Sequence, residues 1–99
     1  MTPAPRPAVF LDRDGTINVE VDHLSRADEV VLLPGSGAAI ARLNARGIPV
    51  VVVTNQSGIG RGLFSWEDYA AVKARLAGLL AAEGARWDAA YEAPHHPEA

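Results

Sequence analysis

The sequence predicts one α/β domain built on a parallel β-sheet. Short apolar runs rich in β-branched residues alternate with segments that have the hydrophobic spacing of helices. The 99 residues show no internal repeat, and this length suits a single small domain. Polar residues follow the first two apolar runs directly, where a parallel sheet places its ligand crevice. We therefore expect three strands and two helices joined by right-handed crossovers.

The first strand is predicted over residues 8–11, which read Ala-Val-Phe-Leu, and the domain extends over residues 8–99. Residues 1–7 contain three prolines and predict a short extended arm. Residues 15–33 are first polar and then apolar again, which indicates a small flap or hairpin.

A first helix and a second strand follow. The Pro-Gly-Ser sequence at 34–36 can open a helix that extends to residue 46, with Ile40 and Leu43 on one side. Gly47 is placed to end this helix. Residues 48–53 are nearly all β-branched, and such a continuous run suits a strand that is covered on both faces.

A loop, a longer helix and a weaker strand complete the pattern. Residues 54–62 form a loop by composition. Ser65 and Asp68 make a capping box for a helix that runs to about Glu83. Its apolar residues recur at helical spacing and are assigned to the core: Trp66, Tyr69, Val72, Leu76, Leu79 and Leu80. Residues 87–92 predict the third strand.

The composition argues against several classes of partner. A formal charge of −3 and a pI near 5.5 argue against nucleic acid or an anionic membrane as the main partner. No apolar run approaches the roughly 20 residues that span a bilayer. The chain has no cysteine, so it has no disulfide framework, which fits a cytoplasmic protein.

Two carboxylates at the end of the first strand are the strongest functional signal. Because side chains alternate along a strand, Asp12 and Asp14 are expected to face one way and Arg13 the other. Gly15 permits the sharp turn that follows. Such a pair can hold a divalent cation, or divide the roles of nucleophile and acid/base. The alternative is two solvated turn acids, since Asp-Gly is a common turn dipeptide.

The second strand adds candidates for anion binding. The hydroxyl of Thr54, with Asn55 and the loop amides after it, can bind an anion such as phosphate, although Thr54 could instead cap the strand end. Arg61 either pairs with a second anionic group or is solvated. Because the carboxyl ends of parallel strands meet at one edge, Asp12, Asp14 and Thr54 should converge.

Three other features have simpler interpretations. His95 and His96 are adjacent, and adjacent residues rarely bind one ion well, so we expect solvated or loop-packing histidines. The glycines at 58, 60 and 62 lack the spacing of a dinucleotide fingerprint and indicate a surface loop. Ser57 has no partner for nucleophilic catalysis within its motif.

Two motifs together resemble a known family. They are Asp-Arg-Asp-Gly-Thr-Ile-Asn at 12–18 and Thr-Asn-Gln-Ser-Gly-Ile-Gly-Arg-Gly at 54–62. With them the chain resembles the haloacid dehalogenase superfamily of phosphohydrolases, in the branch of D,D-heptose 1,7-bisphosphate phosphatases and histidinol-phosphatases. Leu-Pro-Gly at 33–35 and Ala-Pro-His-His-Pro at 93–97 fit it too. The resemblance implies a Rossmann-like parallel sheet in the order 5-4-1-2-3, of which this chain supplies strands 1, 2 and 3, two helices and the flap.

The resemblance also implies a mechanism. Asp12 would be the nucleophile that forms an aspartyl-phosphate, and Asp14 would protonate the leaving oxygen and then activate water. Thr54 and Asn55 would hold the phosphoryl group. Mg²⁺ would bind the carboxylate of Asp12 and the main-chain carbonyl of Asp14. The substrate would be a small phosphorylated metabolite, either a heptose bisphosphate or histidinol phosphate.

The chain departs from the family pattern in three ways. It lacks the family's downstream phosphate-binding lysine and acidic metal ligands; its single lysine, Lys73, lies in the second predicted helix. Ala93 stands where relatives often have a zinc-binding cysteine, so we expect no zinc, with His95 the one family-like ligand position. The first strand would be a sheet edge, which invites self-association. We therefore expect a truncated phosphatase, or alternatively a non-catalytic phosphate- or metal-binding or self-associating fragment.

Overall fold

The computed structural model describes residues 8–19, 26–56, 62 and 64–93. Strands and helices alternate along the chain in the order β1 (Val9–Asp12), α1 (Ser36–Ala45), β2 (Val50–Asn55), α2 (Trp66–Ala82) and β3 (Ala89–Ala93). The strands form one parallel sheet in the order β1-β2-β3. The predicted α/β fold is confirmed, with the first three strands adjacent as expected. The predicted arm at 1–7 lies outside the described residues.

The hydrophobic core lies between one face of the sheet and both helices. It joins side chains from the central strand β2, from both helices, from the segment between β1 and α1 and from the residues after α2: Ile17, Val30, Ile40, Val50, Val52, Val72, Leu76, Leu80 and Ala85. Since both helices lie on this face and the two crossovers step in the same direction, the crossovers have the same hand. The segment predicted as a flap is thus anchored in the core at two points, Ile17 and Val30.

The opposite face of the sheet is uncovered by the described residues. The strand register places Phe10, Val53 and Tyr91 on this face, and they are 70%, 43% and 64% exposed. The expectation that the second strand is covered on both faces is therefore wrong for this part of the chain. A run of β-branched residues indicates a hydrophobic strand. It does not indicate which face of the sheet the helices cover, because that depends on the crossovers.

The apolar stripe of α2 is confirmed except at its first residue. Tyr69, Val72, Leu76 and Leu80 are buried, and Leu79 packs against the core. Trp66 was predicted in the core but is 52% exposed, with its ring edge-on to that of Tyr69. The buried face of α2 begins one turn after Trp66, so helical spacing alone places this residue wrongly.

Both helices begin and end as their local sequence predicts. The side chains of Ser65 and Asp68 form the reciprocal hydrogen bonds of a capping box at α2. The α1 helix ends at Ala45, and Gly47 follows with φ +70°, where its N–H donates to Asn44 and the next N–H donates to Leu43. The same pair of bonds ends α2 at Gly84.

The strand boundaries differ from the predictions because of Asp88. Its Oδ2 accepts the N–H of Val50 at 2.7 Å, and its own N–H donates to the Val50 carbonyl at 2.8 Å. The carboxylate of Asp88 therefore binds the first backbone N–H of β2 in place of a strand partner. As a result, β3 begins at Ala89 rather than at residue 87. At the other end, β2 continues through Thr54 and Asn55, which pair with β3, so these two residues are strand rather than loop.

We expect the Asp88→Ala variant to have a lower Tm than the wild type at neutral pH. The Val50 N–H and then Arg86 hold the pKa of Asp88 below its ordinary value of 3.8. Its stabilising effect is therefore present above that value and is lost as the pH falls through the lowered pKa. Thermal unfolding followed by circular dichroism should show a Tm difference at pH 7 that shrinks in acid.

Asp28→Ala is the matched control, because Asp28 is highly exposed and pairs with Arg26 at the surface. Its Tm should differ little from that of the wild type. An Asp88→Ala Tm equal to the wild type at pH 7 would contradict the anchoring role of Asp88.

Candidate active site

A polar cavity of about 200 Å³ opens at the carboxyl edge of the sheet. Its lining is Asp12, Arg13, Asp14, Thr54 and Asn55, which come from the ends of β1 and β2. The predicted convergence of the two aspartates with the threonine is therefore present in the structure. Thr54 is far from the two aspartates in the sequence. It meets them because β1 and β2 are parallel and end at the same edge of the sheet.

A tight turn after β1 directs Asp14 back toward β2. The carbonyl of Arg13 accepts hydrogen bonds from the N–H groups of the three residues 16–18 at 2.8–3.2 Å. Gly15 has φ +83°, a conformation that costs residues with a Cβ, so the expected use of glycine at this turn is confirmed. The Gly15 N–H closes the turn by donating to the Asn18 carbonyl at 2.8 Å.

The carboxylate of Asp14 accepts four hydrogen bonds from three side chains. Its Oδ1 accepts from Arg13 Nε at 3.1 Å, Arg13 Nη2 at 2.9 Å and Asn18 Nδ2 at 2.9 Å. Its Oδ2 accepts from Gln56 Nε2 at 3.0 Å. These donors come from both sides of the cavity and fix the orientation of the carboxylate.

Asp12 has a contrasting environment. It is the last residue of β1, its side chain is exposed, and it accepts no hydrogen bond from any side chain among the described residues. Two neighbouring carboxylates are thus held differently, one free at the mouth of the cavity and one fully engaged. Different environments of this kind suit different chemical roles.

Arg13 does not face away from the aspartates as predicted. Its side chain is 3% exposed, pairs with Asp14, and lies with Cζ 5.6 Å from the centroid of the Tyr69 ring. The alternation rule failed because β1 ends at Asp12, and the period of two does not continue into the turn. Within the described residues, Arg13 Nη1 is buried without a partner.

Sequence reasoning also missed Asn18 and Gln56. Both are almost completely buried, and both donate to Asp14. A usable signal existed for Gln56, because it stands two residues after Thr54 at a strand end and so shares its side. For Asn18 the signal was only its place in the 12–18 motif.

Tyr69 and Lys73 of α2 both interact with Glu92 of β3, and the ring of Tyr69 also lies against Arg13. Burial, followed by the charge of Glu92, raises the pKa of Tyr69 to about 12, so its hydroxyl stays protonated at neutral pH. Lys73 Nζ lies 3.6 Å from Glu92 Oε1, so the single lysine of the chain pairs with an acid of β3.

Several candidate residues lie outside the described residues: Arg61, Ser57, two of the three loop glycines, His95 and His96. Within the ranges that are described, no cluster of three or more histidine, aspartate or glutamate side chains could hold a metal ion. Neither described helix has the length and apolar character needed to cross a membrane.

The residues present fit a magnesium ion in part. The carboxylate of Asp14 is occupied by N–H donors, but its main-chain carbonyl accepts no hydrogen bond from the described residues. That carbonyl and the free carboxylate of Asp12 are the two oxygens that would hold Mg²⁺ in the arrangement that the resemblance implies. Mg²⁺ commonly uses one or two protein oxygens and completes its shell with water and phosphate.

Known proteins with the same sequence pattern and fold are phosphatases by name. The chain is 54% identical over 90 residues to the D-glycero-beta-D-manno-heptose-1,7-bisphosphate 7-phosphatase of Mesorhizobium japonicum, covering 91% of this chain and 42% of the relative. Its fold matches the D,D-heptose 1,7-bisphosphate phosphatase of B. bronchiseptica, solved with magnesium and phosphate, at a TM-score of 0.87 and 41% identity, covering 93% of this chain and 52% of that chain.

A crystal structure from Mesorhizobium loti matches with a TM-score of 0.90 and 53% identity, over 95% of this chain and 45% of that chain. No protein-family model matches the chain. The chain spans about half the length of the curated relatives it matches. The resemblance to haloacid dehalogenase-like heptose bisphosphate phosphatases is thus confirmed for the part of the fold that this chain contains.

We expect weak binding of Mg²⁺ by this chain, because two protein oxygens leave most of an octahedral shell to water. Calorimetric titration should give a dissociation constant above the micromolar range. Asp12→Asn should weaken binding further, whereas Glu67→Gln, which removes an exposed carboxylate from the first turn of α2, should not. Micromolar or tighter binding by the wild type would contradict the two-ligand assignment.

Proposed function

We propose that this chain carries the nucleophile and phosphate-binding part of a Mg²⁺-dependent phosphomonoester hydrolase that acts on a heptose bisphosphate. One observation carries the proposal: Asp12, Asp14 and Thr54 line a single cavity at the carboxyl edge of the sheet. The names of the relatives favour heptose bisphosphate over histidinol phosphate. A cytoplasmic location remains a prediction from the cysteine-free composition.

The proposed chemistry has two steps. An oxygen of Asp12 attacks the phosphorus atom, so that an aspartyl-phosphate bond forms while the phosphorus–oxygen bond of the ester breaks. Asp14 gives its proton to the departing sugar oxygen. Asp14 then takes a proton from water, which attacks the phosphorus and releases phosphate and free Asp12.

The environments of the two acids support this division of roles. Asp12 is exposed and free of side-chain hydrogen bonds from the described residues, so its lone pairs can reach the phosphorus. Asp14 is held in one orientation by Arg13, Asn18 and Gln56, as a proton carrier must be. When Mg²⁺ is bound, it supplies positive charge beside the Asp12 carboxylate and the phosphoryl oxygens.

Thr54 and Asn55 are the proposed phosphoryl ligands. Both line the cavity, and Thr54 is 5% exposed whereas Asn55 is open to solvent. Arg61, which follows in the same motif, is proposed to pair with a second anionic group, such as the other phosphate of a bisphosphate substrate.

A second candidate function is a non-catalytic, self-associating module. The observation that favours it is the uncovered sheet face, where Phe10 is 70% exposed on a strand that pairs with β2 alone among the described residues. An edge strand with unpaired backbone groups and apolar flanks is a template for a second copy.

Asp12→Asn should abolish Mg²⁺-dependent release of phosphate from heptose bisphosphate, by at least about 10³-fold, because an amide cannot form the covalent intermediate. A colorimetric phosphate assay on the purified chain measures this. Glu67→Gln removes the same charge at an exposed position and should retain the wild-type rate. Equal turnover by the wild type and Asp12→Asn would rule out the nucleophilic role.

Self-association should be visible by multi-angle light scattering at high concentration. Phe10→Lys should reduce it, because a lysine on an edge strand opposes pairing with another copy. Val31→Lys, at another exposed apolar residue away from the sheet, is the control and should associate like the wild type. A wild type that stays monomeric at every concentration would exclude the edge-pairing proposal.

A further inference from the structure

The side-chain amide of Gln56 connects the two halves of the cavity. Gln56 follows β2, is 4% exposed, and donates from one nitrogen to two acceptors. Its Nε2 lies 3.0 Å from Asp14 Oδ2 and 2.8 Å from Thr54 Oγ1. Because an amide nitrogen carries two hydrogens, both of its donors are used by these two contacts.

The chemistry of the neighbours fixes which way the amide points. With the amide reversed, its carbonyl oxygen would face the carboxylate oxygen of Asp14, and two acceptors would oppose each other in a buried place. The nitrogen must therefore lie toward Asp14. From that position it also reaches Thr54.

The direction of this bond determines what the Thr54 hydroxyl can do. A hydroxyl has one hydrogen to donate, and here Gln56 occupies a lone pair on its oxygen. No described residue accepts a hydrogen bond from Thr54 Oγ1. Since Thr54 lines the cavity, its O–H remains available as a donor to an oxygen of a bound phosphoryl group.

We infer that Gln56 is a positioning residue that turns the Thr54 O–H toward the phosphoryl group while it holds Asp14 Oδ2 beside the same group. This inference rests on the proposed function and assigns a residue to it that the sequence did not single out. The Gln56 side chain thereby sets the position of the Thr54 hydroxyl, which donates a hydrogen bond to phosphate, relative to Asp14, the proposed acid/base.

A double-mutant cycle tests this role through the affinity for inorganic phosphate in the presence of Mg²⁺. The variants are Gln56→Met, which keeps volume without the N–H donors, Thr54→Val, which keeps shape without the hydroxyl, and the double variant. Gln56→Met should weaken phosphate binding about tenfold, the size expected for one lost hydrogen bond to an anion. The double variant should bind no more weakly than Thr54→Val, because Gln56 acts on phosphate through that hydroxyl.

Two controls separate this role from a general effect on folding. Asn44→Ala removes a side chain that bonds the Arg86 backbone at the opposite edge of the sheet, and it should leave phosphate affinity unchanged even if Tm falls. Thr54→Ser keeps the hydroxyl and removes only the methyl group, so it should bind phosphate within about threefold of the wild type. Thermal unfolding of each variant establishes that it is folded.

A measurement on the wild type covers the case in which Gln56→Met does not fold. Nuclear magnetic resonance should show both Gln56 side-chain amide protons protected from exchange, and a Thr54 hydroxyl proton that shifts when inorganic phosphate is added. Unprotected amide protons would overturn the inference, and so would a hydroxyl proton that ignores phosphate.

Three binding results also overturn the inference: unchanged affinity in Gln56→Met, additive losses in the double variant, or no phosphate binding by the wild type. None of these measurements requires turnover. Failure of the proposed hydrolase function would therefore be seen separately. In that case the chain would release no phosphate from heptose bisphosphate but would still show the coupling between Gln56 and Thr54.

Discussion

The carboxylate of Asp14 organises the site, because side chains from two segments of the chain donate to it. Arg13 and Asn18 belong to the turn that follows β1, and Gln56 follows the last residue of β2. A buried or half-buried carboxylate is costly unless its oxygens are satisfied, so these donors must be present together. The Asp14 carboxylate is therefore held in one orientation in the cavity that Asp12 and Thr54 also line.

This arrangement follows from elementary properties of a parallel sheet. Adjacent parallel strands end on the same edge, so residues far apart in sequence, such as Asp12 and Thr54, meet without any loop having to bring them together. The helices on one face supply the packing that keeps this edge rigid, with Val50 and Val52 against Val72 and Leu76. The stable core is thus one layer below the site rather than part of it.

The sequence predicted features that depend on short-range rules. The capping box at Ser65, the glycine that ends α1 and the paired aspartates after β1 each follow from a few neighbouring residues, and the structure contains them. The convergence of Asp12 with Thr54 was also predicted, from the rule that parallel strands end at one edge, but two other features that depend on tertiary contacts were missed. Alternation could not show that Arg13 turns back to Asp14, and helical spacing could not show that Trp66 lies beyond the buried face of α2.

The charges in the cavity give a physical reason why the proposed phosphate site would need a metal ion. Asp12 brings a carboxylate to the mouth of the cavity, and the guanidinium of Arg13 is already paired with Asp14 at 2.9 Å. A phosphoryl group that approaches Asp12 therefore meets a carboxylate with no cation of its own among the described residues. Two like charges 4 Å apart repel by about 4 kcal/mol at an effective dielectric constant of 20. A divalent ion held by Asp12 would offset this repulsion, so we expect occupancy of the cavity by phosphate to rise with Mg²⁺ concentration.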